Sequence, residues 1–247
     1  MQIAYRTAIG ERRTDNEDNV GVFTNQTGIK LAIIADGIGG NQGGDVASEM
    51  AVFHLGHAFE KSTINDFDTA SKWLQSQIDE ENSNIRERSQ QFVDLKGMGT
   101  TVVLALMLPK ELIVGNIGDS RAYLLRHKKF NQVTEDHSLV NELVKRGELS
   151  KQAAKVHPQK NVITRSLGVT EKVQIDLHYL KLNSKDVVLL CSDGLTNMVS
   201  DADIQAVLQG HESLLDKCDQ LIAMANEAGG LDNITVVIAD NGSGAAD

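Results

Sequence analysis

Thr101-Val-Val-Leu-Ala-Leu-Met-Leu108 is followed by Pro109-Lys110-Glu111 and then by Leu112-Ile-Val114. Both runs are apolar at consecutive positions, so both of their faces must be covered. Their length and β-branched content mark buried strands rather than helix. The short link between them makes them antiparallel neighbours, because a parallel return needs a crossover of about a dozen residues. The chain continues through Asn116–Asp119 into Arg121–Arg126, which predicts a meander of three successive strands. Further doubly apolar runs lie at Leu31–Ala35, Val187–Cys191 and Ile234–Ala239. Amphipathic helices are predicted beside them. In Glu212–Glu227 the residues Leu214, Leu215, Cys218, Leu221, Ile222 and Ala225 draw one apolar stripe. Gly44–Phe59 and Thr69–Arg88 are two more, the latter with Trp73, Leu74, Ile78 and Ile85 inward. The expected architecture is layered, with antiparallel sheets inside and helices outside.

The chain has 247 residues, 41% hydrophobic and 23% charged, enough for one substantial core. Residues 1–240 are expected to form a single domain, with 241–247 a mobile tail. Proline is confined to Pro109 and Pro158, and no linker or repeat interrupts the chain. A net charge of −10 argues against a nucleic-acid partner, which needs a basic surface. An acidic protein that handles phosphate needs metal ions to make its site locally positive. Cys191 and Cys218 form no CxxC pair, so they supply no zinc site, and Cys191 is expected to be a buried reduced thiol. The N-terminal residues lack the apolar core of a signal peptide, and no apolar run reaches the roughly 18 residues of a membrane span. A cytoplasmic monomer without membrane insertion is therefore expected. The polar segment His137–Gly168, with helix-like Ser138–Arg146, reads as an insertion over the core, and loops of such length are usually functional.

Five short acidic clusters are spread along the chain: Arg13-Thr-Asp-Asn-Glu17-Asp18, Asp36-Gly-Ile-Gly-Gly40, Gly118-Asp119-Ser120-Arg121, Ser192-Asp193-Gly194-Leu195 and Gly229-Gly-Leu-Asp232-Asn233. Asp36 and Asp193 each follow an apolar run and precede glycine; Asp232 precedes one. Asp36-Gly-Ile-Gly-Gly40 can be read as a simple turn, as a phosphate-cradling loop, or as a carboxylate bridging two metals with help from the Gly37 carbonyl. It lacks the Lys-Ser/Thr of a P-loop and the dinucleotide spacing. Repetition of Asp at strand termini weakens the turn reading. Gathered carboxylates raise one another's pKa unless cations neutralise them, and hard divalent ions with oxygen ligands are the usual solution.

The ordered set Arg13-x-x-Asn16-Glu17-Asp18, Asp36-Gly-x-Gly-Gly40, Gly97-Met-Gly-Thr-Thr101, Asn116-Ile-Gly-Asp119-Ser-Arg121, Thr134-x-Asp136-His137-Ser138, Ser192-Asp193-Gly-Leu195 and Gly230-x-Asp232-Asn233-Ile-Thr235 resembles the PPM-type, metal-dependent protein Ser/Thr phosphatases (type 2C). It is most similar to the short bacterial members that oppose membrane-anchored Ser/Thr kinases. The resemblance spans about residues 9–239. It implies an α+β fold, a four-layer αββα sandwich of two antiparallel sheets flanked by helices, with metals at one end. It implies that Asp36 bridges two Mn2+ or Mg2+ ions, with Asp193 and Asp232 on the first and the Gly37 carbonyl on the second. Asp18 and Glu17 would hold metal-bound water, Asp119 with Asp193 would make a third site, and Arg13 would grip substrate phosphate. The segment at about 137–168 would be the family's flap. The implied partners are phosphoproteins and a cognate kinase. One departure is Ile38, where eukaryotic relatives carry a histidine proposed as general acid.

Other candidates weigh less. His54 and His57 are read as packing or surface residues, Glu80-Glu81 and Glu142 as solvated helix faces, and Asp136 as a helix cap. Ser120 lacks a nucleophile elbow. Alternatives to a phosphoserine/phosphothreonine phosphatase are a same-fold enzyme acting on an anti-sigma-factor antagonist and a catalytically silent adaptor; filled acidic positions disfavour the latter.

Overall fold

The computed structural model describes residues 1–39 and 43–242. Gly40 of the Asp36–Gly40 motif and residues 243–247 of the expected tail lie outside them. Two antiparallel sheets face each other. The first runs in the order β1 (Gln2–Ala8), β11 (Ile234–Asp240), β10 (Val187–Cys191), β7 (Arg121–Arg126) and β8 (Lys129–Gln132). The second runs β2 (Asp18–Thr24), β3 (Lys30–Ile38), β5 (Val102–Met107), β6 (Glu111–Ile117) and β9 (Asp176–Lys181), with β4 (Gly99–Thr100) on the end of β3.

The two-residue period of a strand sorts the doubly apolar runs between two cores. In β3, Leu31, Ile33 and Ala35 pack beneath α1 (Gly44–Glu60) and α2 (Phe67–Gln91), whose Leu55, Phe59, Leu74, Ile78 and Ile85 are buried. The intervening Ala32 and Ile34 meet Val188, Leu190 and Val237 of the opposite sheet. In β10, Leu189 and Cys191 pack beneath α6 (Asp201–Gln209) and α7 (Leu214–Glu227), against Ile204, Leu208, Cys218 and Leu221. The result is the expected four layers. Side-chain caps start the helices: Asp66 accepts from Thr69 N–H, Ser200 from Asp203 N–H and Ser213 from Asp216 N–H. Among the described residues, no helix is long and apolar enough to cross a membrane.

Four expectations need correction. The meander fails: β5 pairs with β6, but β7 leaves for the other sheet and pairs with β10. The turn is made at Gly118, whose φ of +104° disfavours any side chain. Leu31–Ala35 also does not end before Asp36, because β3 continues to Ile38 with Asp36 opposite Asp18 and Gly37 opposite Thr100. Thirdly, Glu81 is not a solvated face residue. It is 2% exposed between α1 and α2, with Oε2 2.8 Å from His54 Nδ1. Burial raises its pKa, so this helix position carries a cost that periodicity does not reveal. The cap at the start of α3 (Leu139–Lys145) is Ser138; Asp136 instead pairs with Arg121 at 2.7 Å.

Ile34 lies fully buried between the sheets. Ile34→Ala is expected to cost about 2–5 kcal/mol, because the facing sheet cannot collapse into the space. Urea unfolding should show a lower midpoint at unchanged m-value.

Candidate metal-dependent active site

Five strand termini meet at one end of the sandwich. Asp18 opens β2 and stands directly across from Asp36 in β3. Asp193 begins the one-turn helix α5 (Asp193–Thr196) straight after β10, and Asp232 precedes β11, the neighbour of β10. Asp119 sits at the crossing from β6 to β7, and β7 pairs with β10, which brings it beside Asp193. These segments surround a cavity of about 850 Å³ lined by Arg13, Glu17, Asp36, Gly37, Asp119, Asp193 and Asp232. Ile38 also lines it, as do Asn161 and Ile163 of the 137–168 segment. Asp18 does not; it lies behind the wall, 5% exposed, and its Oδ2 accepts from Ser192 Oγ at 2.7 Å.

The glycines after two of the aspartates have a packing reason. A Cβ on Gly37 would collide with the Gly44 carbonyl, and one on Gly194 would collide with the Asn233 carbonyl. Each Asp-Gly pair thus lets a second backbone segment press against the carboxylate's own strand end. His54 and His57 lie outside the cavity lining, as does Ser120, whose hydroxyl is 2.8 Å from that of Thr101.

The electrostatic cost of this gathering is large. Burial, and then the charges of Asp18, Asp193, Asp119 and Asp232, hold Asp36 well above the ordinary carboxylate range. Burial pushes Asp119 up to about 8, with Asp193 adding to it. Asp193 rises to about 6 through burial and the Asp232 charge. Burial takes Asp18 to about 7, although hydrogen bonds from Thr235 and Ser192 favour its ionised form. Arg13 is the cation that lines the cavity: its Nη2 lies 2.8 Å from Asp232 Oδ1 and its Nη1 3.7 Å from Glu17, while the Arg121 charge reaches Asp119 and Asp193 from outside the lining.

The residues fit hard divalent cations. Every acidic group is an oxygen donor, and Asp119 Oδ1 is buried without a hydrogen-bond partner. Among the described residues, no three His, Cys, Asp or Glu side chains stand close enough to form a ready-made cage. Carboxylates spaced around a roomy cavity suit ions that keep several waters and take only one or two protein carboxylates each.

Several residues that hold the site had been given no role by the motifs. Asn233 is the main one. Its Oδ1 accepts from Glu17 N–H at 2.8 Å, and its Nδ2 donates to the carbonyls of Ile9 and Asp15, each at 2.9 Å. It thereby ties the loop carrying Arg13 and Glu17 to the start of β11. Thr101 Oγ accepts from Asp36 N–H, and Thr100 Oγ donates to the Asp36 carbonyl. Asn197 donates to Asp193 Oδ2 at 2.9 Å, and His137 Nδ1 accepts from Gly118 N–H beside Asp119. The signal available in the sequence was adjacency: each except His137 lies within a few residues of a site carboxylate or within a paired Thr-Thr.

Comparison with known proteins shows the family. The family model described as "Protein phosphatase 2C" matches residues 10–234. A serine/threonine phosphatase stp from Listeria monocytogenes is 45% identical over 241 residues, covering 97% of this chain and 96% of its own. The Streptococcus agalactiae serine/threonine phosphatase structure superposes with a TM-score of 0.93 at 43% identity, covering 96% of this chain and 98% of that one. The catalytic domain of the serine/threonine protein phosphatase PstP, solved in complex with two manganese ions, gives a TM-score of 0.86 at 34% identity, with 97% of each chain covered. The five-aspartate end of a two-sheet sandwich and the matched span over most of its length place this chain in the protein phosphatase 2C family.

Proposed function

We propose that this protein hydrolyses phosphoserine and phosphothreonine in proteins, using divalent cations, Mn2+ or Mg2+, held by Asp36, Asp193, Asp232 and the Gly37 carbonyl. Support comes above all from one observation: Asp36, Asp119, Asp193 and Asp232, from four separate segments, line one cavity with Asp18 behind its wall, at an electrostatic cost that bound cations offset. We assign a further cation to Asp119 with Asp193, on the unpartnered Asp119 oxygen. When bound, the cations supply an activated water at neutral pH and neutralise the phosphate charge. Residues 1–240 act as one domain, with 137–168 the flap at the cavity mouth, and the substrates are phosphoproteins of a Ser/Thr kinase that this enzyme opposes.

The chain's own residues then have defined tasks. Arg13, exposed on the loop clamped by Asn233, turns its guanidinium from Asp232 to the phosphate oxygens, where paired N–H donors suit the tetrahedral anion. Asp18 keeps its neighbours in place from behind the wall and orders water between them. Glu17 lines the cavity and orients water with it. Hydrolysis passes the phosphoryl group to water and returns a proton to the serine or threonine oxygen. Ile38 has no proton to give, so that proton comes from elsewhere at the cavity. Neither cysteine competes as nucleophile: Cys191 is fully buried and its thiol is pushed up to about 12, and burial takes Cys218 to about 12 as well.

Hydrolysis of a phosphothreonine peptide and of p-nitrophenyl phosphate with Mn2+, each abolished by EDTA, is the direct check. Asp36→Asn should lose at least a hundredfold in kcat together with calorimetric Mn2+ binding; retained binding would remove Asp36 from the ligand set. Arg13→Ala should raise KM for phosphopeptide. Mn2+ binding should be equal or tighter in this variant, because Asp232 loses its competing cation; weaker binding would contradict the assignment. Asn233→Ala should lower activity by slackening the 9–17 loop. It should also lower the melting temperature by several degrees, since three hydrogen bonds with buried members are lost.

A further inference from the structure

The charge of this protein is unevenly placed. Residues 137–168 contain Lys145, Arg146, Lys151, Lys155, Lys160 and Arg165 against only Glu142 and Glu148, a local charge of +4 within a total of −10. Two of these cations are engaged in the fold. Lys145 pairs with Glu135 at 3.1 Å, and Arg165 pairs with Asp176 at 2.6 Å. Arg146, Lys151, Lys155 and Lys160 have no ion-pair partner among the described residues, and the first three are exposed. On α4 (Lys151–Lys155) the two lysines are spaced i, i+4 and share a face. Val156, next to Lys155, is 82% exposed, so an apolar side chain stands among free cations.

This surface adjoins the cavity lining along the chain. Asn161 and Ile163 line the cavity, and Lys160 is the residue before Asn161. Turn hydrogen bonds from His157 N–H to the Ala154 carbonyl and from Lys160 N–H to the His157 carbonyl fold the link back toward α4. Even fully extended, Lys155 to Asn161 spans no more than about 20 Å. A bound peptide rising about 3.3 Å per residue therefore passes these cations within about six residues of the group in the cavity. The rest of the protein, being acidic, repels such a peptide if it is acidic; this segment attracts it.

We propose that the outer face of 137–168, through Lys151, Lys155 and Lys160, docks acidic residues that flank the phosphorylated serine or threonine of a protein substrate. The inference rests on the phosphatase reading and narrows it to a substrate class. These lysines act on encounter and binding, not on the chemical step, so their effect falls on KM. One exposed ion pair shifts an equilibrium by about 1.4- to 5-fold, and three together give about tenfold.

The test compares phosphothreonine peptides of equal length with acidic, neutral and basic flanks, together with p-nitrophenyl phosphate, on the Mn2+-loaded full chain. The expected result is kcat/KM about tenfold higher for acidic than for basic flanks, carried by KM and shrinking at about 1 M salt, where screening acts over about 3 Å. The triple variant Lys151→Glu, Lys155→Glu, Lys160→Glu should erase or invert the preference and leave p-nitrophenyl phosphate turnover unchanged. The triple Gln variant should fall between. Equal kcat/KM across flanks, or a preference that survives charge reversal, would overturn the proposal. So would parallel loss on peptide and p-nitrophenyl phosphate, which would make the lysines supports of the site. Sedimentation with phosphatidylglycerol vesicles separates the remaining source of anions. Lysine-dependent binding to vesicles with a flat peptide series would assign the surface to lipid and reject peptide docking. Absence of hydrolysis of every substrate would instead sink the phosphatase reading itself, and this inference with it.

Discussion

Burial of several carboxylates at one end of the sandwich is the constraint around which this molecule is organised. Asp36, Asp119, Asp193 and Asp18 are all pushed toward protonation by desolvation first and by one another second. A fold that relied only on its own contacts would place such groups in solvent. Here they stand at the ends of buried strands, and directly opposed like charges such as Asp18 and Asp36 work against the pairing of β2 with β3. The hydrophobic layers between the sheets and beneath the helices supply the stability that tolerates this, and cations would supply the rest.

Tolerating the cluster requires rigid backbones on every side of it. The glycines of the Asp-Gly pairs serve that purpose by allowing close backbone approach at Gly44 and Asn233. The side chains of Asn233, Thr101, Thr100 and Ser192 then bind backbone and carboxylate groups with complete hydrogen-bonding partners. Each replaces water that burial removed, which is why small polar residues recur beside the acidic ones. Arg13 is the exposed counterpart. Its pairing with Asp232 gives the cluster a positive neighbour on the solvent side.

The contrast between the acidic body and the basic 137–168 segment gives the cavity mouth a polarity of its own. Local concentration of charge on a segment that also lines the cavity affects encounter and orientation more than chemistry. In the proposed division, chemistry is left to residues on strand ends and selection to a peripheral segment, as is common where rigid scaffolds carry variable loops.

The sequence by itself determined the buried strands, the main helices and the aspartates of the site, because each rests on a local pattern. Doubly apolar runs such as Val187–Cys191 must be covered on both faces, and the stripe of α7 has one side to bury. The motif order carried the family as well. What only the tertiary structure decided were properties of partners distant in the chain. β7 leaves its apparent meander because Gly118 turns it into the other sheet, where Cys191 is its neighbour. Asp18 falls behind the cavity wall and Glu81 falls between two helices, although neither position differs locally from an exposed one. Asn233 clamps a loop more than two hundred residues away, a role that no spacing encodes. Periodicity reports which face of an element is apolar; it does not report which polar groups that face will meet, since hydrogen bonds and charge pairs form between segments that only folding brings together.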